Sequence, residues 1–382
     1  MITTINNKHK ELNFSSERKQ SQACLNSAEH EKNQGRKVLN VPNLRFPEFQ
    51  GEWEEYRIED ITENISSGRC KSHSPNGKYN LYGSTGIIGK TDEACYEGNL
   101  VLVARVGANA GSLQIINEPC GITDNTLIIK SKEVDAQYLY FFLQHFNLNR
   151  LIFGSGQPLI TGGMLKKVKV SLGTVQEQNK LTKLLSLLDE RIATQNKIID
   201  KLQSLIKGIA QKIVHSNKTN VHLSECVECS SSTLQESDVC EHGAYPVYGA
   251  NGIVGYLDNY NTEGEAVYII KDGSGVGTVS YVTGKCSATG TLNTLQAKEG
   301  YSLQYLYYLL KVFNFEPYKT GMAIPHIYFK DYGKVKVFCP SYTEQLQYAR
   351  LLSAIDSELS IEKNFLTSLS LQKQYLLRHM FI

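Results

Sequence analysis

Cysteine and histidine residues near the middle of the chain have a spacing that could hold a metal ion. Cys226 and Cys229 are separated by two residues, and Cys240 and His242 follow them. Thiolates and imidazoles at such spacing are the usual ligands of structural zinc. An internal repeat, described below, argues against this site, because Cys226 occupies the position that Ile61 has in the first half of the chain. We therefore predict that the chain holds no metal and that Cys226 is a small buried apolar residue.

A glycine-rich run, GSGVG at 273–277, could bind a phosphate. In a dinucleotide-binding fold such a run must open a helix. The residues that follow it, TVSYV at 278–282, are instead typical of a strand. Two interpretations remain, a tight turn between strands or a loop whose glycines let backbone amides approach a phosphate or a base edge.

The sequence lacks the residues that two DNA-modifying chemistries require. An amino-methyltransferase that flips its target base holds it with a loop containing consecutive prolines, and the chain has no Pro-Pro pair. A restriction-type nuclease needs a metal-binding acid followed by Glu/Asp-x-Lys. The one such triplet is Glu17-Arg18-Lys19, and no aspartate precedes it. We therefore predict no catalytic residues and no enzyme activity in this chain.

The positions of the glycine-rich turns indicate two copies of one unit. YGSTGIIGK begins at Tyr82 and YGANGIVGY at Tyr248, and the difference between 248 and 82 is 166 residues. The same offset relates RVGANAG at 105–111 to KDGSGVG at 271–277. Because each turn lies in β-rich sequence that is followed by helical sequence, we predict an α+β fold with a pseudo-two-fold internal repeat.

Each copy ends in a long segment with apolar residues at heptad spacing. Gln195 interrupts the first seam, and Glu362 interrupts the second at the corresponding position. Alternating steps of three and four residues are typical of a coiled coil. Because the first segment ends where the second domain begins, we predict an antiparallel two-helix coiled coil within the chain. The seam residues are Leu181, Leu185, Leu188, Ile192, Ile199, Leu202, Leu352, Ile355, Leu359, Leu366 and Leu369.

Length and composition set further limits. The chain has 382 residues, more than the roughly 250 to 300 that a single core usually serves. Its formal net charge is only +2, so a nucleic-acid surface would depend on the local placement of Lys and Arg. Nine scattered cysteines, and the absence of any apolar run long enough for a bilayer, predict a cytoplasmic protein that does not enter a membrane.

The repeat and the seams divide the chain into five segments. The N-terminal arm is polar and low in aromatic residues, so we predict that it is poorly ordered. The segments are the arm at 1–40, a first domain at 41–175, a central heptad helix at 176–215, a second domain at 216–342 and a C-terminal heptad helix at 343–382.

Several stretches, in this order, resemble the specificity subunit of type I restriction-modification systems. They are PNLRFPEFQGEWEEYRIEDI at 42–61, the two YGxxGIxG turns, GSGQPLI at 154–160, and Glu-Gln followed by LLD or AID at 177–189 and 344–356. The likeness covers about residues 41–382. Each motif alone is weak, whereas their duplicated order with two helices is specific. The arm at 1–40 is longer than the lead-in expected of the family.

The resemblance implies a DNA-recognition subunit with two similar target recognition domains separated by the antiparallel coiled coil. Each domain would read one half of a bipartite target in double-stranded DNA. The helices would set the spacing and dock two methyltransferase subunits, and restriction subunits would join that core. S-adenosylmethionine, ATP and Mg²⁺ would then be bound by the partner subunits, and no cofactor by this chain.

Residues that differ between the two halves are the candidates for reading two different half-sites. Arg105 and Lys271 keep a positive charge beside the glycine-rich loop, so we expect them to contact phosphate. Asn109 or Gln157 would suit an adenine edge. The candidate DNA-binding residues are Arg69, Lys71, His73, Ser84, Arg105, Asn109, Gln157, Asn251, Lys271, Ser274, Lys285, Lys319 and His326.

Some conspicuous side chains have a structural interpretation instead. Trp53 opens the first domain, and Tyr138 and Tyr305 lie in helical sequence next to leucines, so we predict that all three belong to the core. His326 follows Pro325 and could be a buried, hydrogen-bonded histidine rather than a reader of DNA.

Two other functions fit part of the pattern. The chain could be a specificity module of a fused methyltransferase-nuclease or a silent cassette that recombines at the repeat, and co-purification with separate subunits would distinguish these cases. It could also be a structural protein that dimerises through its helices and binds no DNA. A gel-shift series against salt concentration separates that interpretation from DNA recognition, because phosphate contacts weaken as salt rises.

Overall fold

The computed structural model describes residues 39–71, 73–152 and 158–382. The chain divides into two compact units. The first unit comprises residues up to Ser186 together with Lys373–Ile382, and the second is Leu187–Gln372. Most of the predicted arm at 1–40, and the candidate Gln157, lie outside the described residues.

The strands of the first unit form three small sheets. One has the order β2-β8-β5-β6 and is antiparallel throughout, a second has the order β4-β3-β7 with β3 and β7 parallel, and the third pairs β1 with β9. The strands are β1 (Glu54–Arg57), β2 (Thr62–Ser67), β3 (Tyr79–Gly83), β4 (Gly86–Thr91), β5 (Leu100–Ala104), β6 (Leu113–Ile116), β7 (Cys120–Ile122), β8 (Thr126–Ser131) and β9 (Lys169–Leu172).

The helices of the first unit cover the antiparallel sheet. Asp135 begins α1 (Ala136–Phe146) by accepting a hydrogen bond from the Gln137 amide, the usual arrangement of an N-cap. Tyr138 and Trp53 are both buried in the core of this unit, as predicted. The other helical segments are α2 (Gly162–Lys166), the beginning of α3 (Val175–His215) and the 3-10 turns Ile58–Asp60 and Leu148–Leu151.

The second unit repeats the same sheets with the same connections. Their orders are β11-β17-β14-β15, β13-β12-β16 with β12 and β16 parallel, and β10-β18. The strands are β10 (Val221–His222), β11 (Val227–Ser231), β12 (Tyr245–Gly249), β13 (Gly252–Leu257), β14 (Ala266–Ile270), β15 (Val279–Val282), β16 (Ser287–Ala288), β17 (Leu292–Ala297) and β18 (Lys336–Val337).

The helices of the second unit also correspond to those of the first. This unit contains most of α3 and most of α7 (Tyr342–His379), and the last residues of α7 belong to the first unit. Tyr305 is buried in the core of the second unit, as predicted. The remaining helical segments are α4 (Leu223–Cys226), α5 (Leu303–Lys311), α6 (Phe329–Tyr332) and the 3-10 turns Glu236–Asp238 and Glu316–Tyr318.

The duplication extends to an irregularity in the hairpins. The register between β3 and β4 shifts at Leu81 and Tyr82, and the register between β12 and β13 shifts at Val247 and Tyr248. A β-bulge of this kind is a specific local feature rather than a general property of hairpins. The internal repeat predicted from the glycine-rich turns is therefore confirmed at the level of single residues.

Within the second unit the two heptad segments contact each other. Gln195 is buried, and its side-chain amide donates hydrogen bonds to the backbone carbonyl and the carboxylate of Glu362. Further along α3, Ala210 and Ile213 line the same small cavity as Leu352, which comes earlier in α7. Later residues of α3 thus meet earlier residues of α7, so the pairing is antiparallel, as predicted.

The predicted seam residues are buried or half-buried. Leu181 and Leu185 belong to the core of the first unit, and Ile199, Leu352 and Leu359 to that of the second. Apolar side chains at every third or fourth position face a neighbouring helix and are removed from water there. The other buried seam residues are Leu188 and Leu369, and the half-buried ones are Ile192, Leu202, Ile355 and Leu366.

Cys226 lies in the core of the second unit, as predicted. Its sulfur is 3.7 Å from that of Cys339, whereas Cys240 is exposed. Within residues 39–71, 73–152 and 158–382, no three or more His, Cys, Asp and Glu side chains are grouped so that they could hold a metal ion. Nor does that part of the chain contain a helix long and apolar enough to cross a membrane.

Candidate nucleic-acid interface

Each unit contains a glycine-rich loop between two strands of its four-stranded sheet. We call residues 105–111 glycine loop 1 and residues 271–277 glycine loop 2. Glycine loop 2 connects β14 to β15, so it is followed by a strand and does not open a helix. The dinucleotide-binding interpretation is therefore excluded, as the sequence indicated.

The two glycine loops are held by the same backbone hydrogen bonds. In glycine loop 1 the Gly107 amide donates to the Pro158 carbonyl at 3.1 Å, and the Gly111 amide donates to Ala104. In glycine loop 2 the Gly273 amide donates to the Pro325 carbonyl at 3.0 Å, and the Gly277 amide donates to Ile270. A proline-containing segment, at 158–160 or 325–327, thus supports each loop from one side.

Backbone conformation explains why glycine is needed in these loops. Gly107 and Gly273 have φ of 76° and 92°, in the left-handed region that disfavours side chains. A Cβ atom at either position would meet nothing within 4 Å. The requirement at these two positions is therefore one of conformation rather than of close packing.

Arg105 and Lys271 occupy equivalent positions at the starts of the two loops. The Arg105 amide donates to the Asn125 carbonyl and the Lys271 amide to the Thr291 carbonyl. Their side chains have different hydrogen-bond partners. The Arg105 guanidinium reaches the Asp124 carbonyl at 3.5 Å, whereas the Lys271 ammonium donates to the Ser231 hydroxyl on β11. Both side chains are half-buried.

The other candidates in the first unit lie on several different loops. Arg69 and Lys71 follow β2 and are exposed. The His73 ring lies against Gly89, so close that a Cβ there would overlap it. Asn109 is exposed within glycine loop 1. Ser84 is half-buried in the turn between β3 and β4.

In the second unit some candidates lie in or near glycine loop 2, whereas Asn251 and Lys285 lie on other turns. Ser274 is exposed within glycine loop 2, and Lys319 forms an ion pair with Glu316, three residues earlier in sequence. Asn251 lies in the turn between β12 and β13. Lys285 lies between β15 and β16, where its ammonium is 4.6 Å from the centre of the Tyr260 ring.

His326 joins glycine loop 2 to the segment that supports it. Its Nδ1 atom hydrogen-bonds to the Asp272 carboxylate, and its ring packs edge-on against Tyr328 with centroids 4.1 Å apart. The Nε2 atom is buried and has no hydrogen-bond partner among the described residues. The predicted buried histidine is thus half-buried, with one of its two ring nitrogens hydrogen-bonded.

Two residues that sequence reasoning missed lie next to this group. Met322 and Ile324 are in the turn that precedes His326, and both side chains point into solvent. Gly321, with φ of 84°, marks the turn. In a sequence, apolar residues usually indicate a buried core. The neighbouring glycine was therefore the only sequence signal for an exposed turn.

Tyr82 and Tyr248, which are alike in the two halves, serve the fold. The Tyr82 hydroxyl donates to Glu118 at 2.6 Å, and burial together with this bond raises its pKa to about 12. Burial also raises the pKa of Tyr248. Both phenols are therefore neutral at physiological pH and act as packed hydrogen-bond donors or apolar rings.

Comparison with known proteins identifies relatives of the whole repeat. The family described as the type I restriction modification DNA specificity domain matches the chain twice, at 50–204 and 216–370. A putative type I specificity subunit from Mycoplasma genitalium is 25% identical over 342 residues, covering 81% of this chain and 88% of that protein. A putative type I specificity subunit from Mycoplasma pneumoniae is 25% identical over 343 residues, with 81% and 90% covered.

The fold also matches a solved structure. The crystal structure of the S subunit of the type I restriction-modification system from M. genitalium superposes with a TM-score of 0.68 at 20% sequence identity. The match covers 90% of this chain and 99% of that one. The likeness therefore extends over both units rather than over one domain.

Proposed function

The chain belongs to the type I restriction-modification DNA specificity family, and we propose that each of its two units reads one half of a bipartite DNA target through its glycine loop. Glycine loop 1 would serve the first half-site and glycine loop 2 the second. One observation carries this proposal: the two equivalent loops are held by the same backbone hydrogen bonds but have different side chains. A common backbone frame that carries different side chains suits the recognition of two half-sites with different base sequences.

The chemistry of the loops supports this assignment. Arg105 and Lys271 provide one cation in each unit at an equivalent place, which suits a phosphate. Asn109 and Ser274 are exposed within the loops and carry hydrogen-bonding groups that suit base edges. Phosphate contacts position the protein on the duplex, and contacts with base edges give the sequence preference.

The outer faces of the long helices support a second part of the proposal, the docking of two methyltransferase subunits and of restriction subunits. Contiguous exposed apolar side chains commonly mark protein-binding surfaces. In the second unit α3 and α7 carry exposed large apolar residues outside the predicted seam positions. They are Leu187, Leu205, Leu351, Ile361 and Leu371.

In this proposal the chain recognises DNA in the cytoplasm and catalyses nothing itself. Methylation and cleavage, with their S-adenosylmethionine, ATP and Mg²⁺, belong to the partner subunits. Purified chain without partners should therefore neither methylate nor cut DNA. Activity of the chain alone would contradict this part of the proposal.

DNA binding is tested by titrating the full chain against a fluorescent random-sequence duplex at several salt concentrations. We expect the affinity of the wild type to fall linearly on a logarithmic salt scale. Lys271→Ala should reduce the slope by about one unit, the effect of one lost phosphate contact. Lys363→Ala removes an exposed lysine from α7 and serves as the matched control, with an unchanged slope.

Two results would overturn the proposal. Absence of salt-dependent binding by the wild type would favour a structural protein that dimerises through its helices. Equal slopes for the wild type and Lys271→Ala, with Lys363→Ala reduced instead, would place the DNA on the helices rather than on glycine loop 2.

A further inference from the structure

The turn before His326 presents two apolar side chains to solvent. Met322 is 106% exposed and Ile324 is 68% exposed, more than any other large apolar residue in the described ranges. Single exposed apolar residues are common on protein surfaces. The exposure of two such residues at the tip of one narrow turn requires an explanation. We call residues 320–326 the apolar tip.

The apolar tip is rigidly built. Thr320 and His326 exchange two backbone hydrogen bonds of 2.8 Å, which close the base of the turn. Gly321 provides the left-handed conformation, and any Cβ there would overlap the Ile324 carbonyl. A surface that is ordered before binding loses little conformational entropy when a ligand arrives.

Backbone bonds on both sides of His326 connect the apolar tip to glycine loop 2. Besides the bond from Gly273 to Pro325, the Ile327 amide donates to the Lys271 carbonyl at 2.9 Å. The side chain of His326 adds its bond to Asp272. The tip therefore belongs to the same surface as the proposed phosphate contact of Lys271.

Three lysines lie near the apolar tip. Lys319 immediately precedes it, and the Lys330 ammonium lies 4.9 Å from the centre of the half-exposed Tyr328 ring. Lys271 lies in the adjoining loop. An apolar tip flanked by cations matches the surface of duplex DNA, where phosphates border the grooves and thymine methyl groups are the apolar patches within the major groove.

The internal repeat distinguishes a base contact from a general apolar contact. Pro325 and Ile327 correspond to Pro158 and Ile160, each pair differing by 167 in number, so Ile324 corresponds to Gln157. Glutamine can pair with the hydrogen-bonding edge of adenine, whereas isoleucine has no such group and can contact only the methyl of thymine. One position thus carries two side chains suited to two different bases.

We propose that Met322 and Ile324 read thymine in the half-site of the second unit, by packing against its C5 methyl group in the major groove. This inference rests on the proposed function. It assigns the second half-site an apolar contact, in place of the amide contact expected of Gln157 in the first. The two side chains become determinants of target preference.

The test begins with a duplex that the full wild-type chain enriches from a randomised pool. Each thymidine of that duplex is then replaced in turn by deoxyuridine, which removes the methyl group and keeps the base pair. We expect one or two replacements in one half-site to weaken binding about fourfold each, the effect of one methyl group. Replacements elsewhere should have no effect.

Variants of the apolar tip complete the test. The double variant Met322→Ala/Ile324→Ala should bind the thymidine duplex more weakly and should no longer distinguish it from the deoxyuridine duplex at the sensitive positions. Val175→Ala, which changes an exposed apolar residue at the start of α3, is the matched control and should keep the distinction. All the substitutions are at the surface, and circular dichroism would check that the variants are folded.

Several outcomes would overturn the inference. One is equal affinity of the wild type for the thymidine and deoxyuridine duplexes at every position. A second is an increase, on binding, in the fluorescence of a 2-aminopurine base placed in the half-site, without any effect of the methyl group. That result would mean that the tip inserts between bases. A third is a double variant that binds DNA normally and loses only assembly with partner subunits. If no duplex is enriched at all, the proposed function itself fails.

Discussion

Gln195 and Glu362 form a hydrogen-bonded pair across the seam between α3 and α7, and their positions differ by 167 in the internal repeat. The two copies of the repeat thus contribute one polar residue each, at equivalent positions, and these two residues meet. In an otherwise apolar seam a single polar pair fixes the register of two helices, usually at some loss of stability.

The first prediction concerns this pair. Glu362→Ala removes the carboxylate acceptor and leaves Gln195 with the 3.3 Å bond to the main-chain carbonyl, so the free energy of unfolding should fall by about 1 to 2 kcal/mol. Gln195→Leu combined with Glu362→Leu makes the seam continuous and should be at least as stable as the wild type. Urea denaturation measures both. A double variant less stable than Glu362→Ala would contradict the role of the pair in register.

The second prediction uses two adjacent leucines of α7. Leu352 is 1% exposed and lines the contact with α3, whereas Leu351 is 51% exposed. Leu352→Ala should lower the free energy of unfolding by about 2 to 5 kcal/mol, because it leaves a cavity in the core. Leu351→Ala should change it by less than about 0.5 kcal/mol. Similar losses for both variants would mean that α7 does not pack in the register described.

The third prediction contrasts two glycines that both have open space around them. Gly273 has a φ of 92°, so Gly273→Ala should destabilise the protein by about 1 to 2 kcal/mol. Gly208 lies inside α3, where alanine is the better helix former, so Gly208→Ala should stabilise it by roughly 0.5 to 1 kcal/mol. Thermal denaturation of the two variants shows whether each substitution raises or lowers the stability. Stabilisation by Gly273→Ala would show that glycine loop 2 has another conformation.

The fourth prediction is a pH dependence in the first unit. Burial lowers the pKa of His145 below its ordinary value of 6.5, and its Nδ1 atom is 2.7 Å from the Leu377 carbonyl. The unfolded chain therefore binds a proton at this residue before the folded protein does. Its contribution to stability is complete above pH 6.5 and is lost as the pH falls from there towards the pKa of the folded state.

The control for that prediction is His145→Asn, which can donate to the same carbonyl and does not titrate. The wild type should lose stability relative to this variant as the pH falls below 6.5, in denaturation curves recorded at a series of pH values. Carboxylates common to both proteins cancel in the difference. Parallel pH profiles would show that His145 is as easily protonated in the folded protein as in the unfolded one.

Features that depend on periodicity were predictable from the sequence. The seam through Leu352 and Leu359 follows from the spacing of apolar residues, and the repeat follows from the recurrence of glycine turns whose backbone no other residue easily adopts. Burial of Cys226 followed from its equivalence to Ile61. In each case a local pattern, or a comparison within the chain, determines the result.

Features that depend on contacts between distant segments were not predictable. The bond from Lys271 to Ser231 joins residues 40 positions apart, and it exists because β11 and β14 flank β17 in one sheet. The seam leucines also pack against the globular part of their own units, so that Leu352 lines a cavity with Tyr305 of α5. The exposure of Met322 and Ile324 is a property of the folded turn, because apolar composition alone indicates a core.

The bonds that the two glycine loops share, from Gly107 and Gly111 in one and from Gly273 and Gly277 in the other, join main-chain atoms. The exposed side chains at Ala108, Asn109 and Ser274 therefore take no part in supporting the loops and can be exchanged without loss of folding free energy. Under the function proposed for the two glycine loops, point substitution at such positions would change the DNA target with no compensating change in the core. For the same reason, a library randomised there should retain folded members in high proportion and provide a direct route to altered specificity.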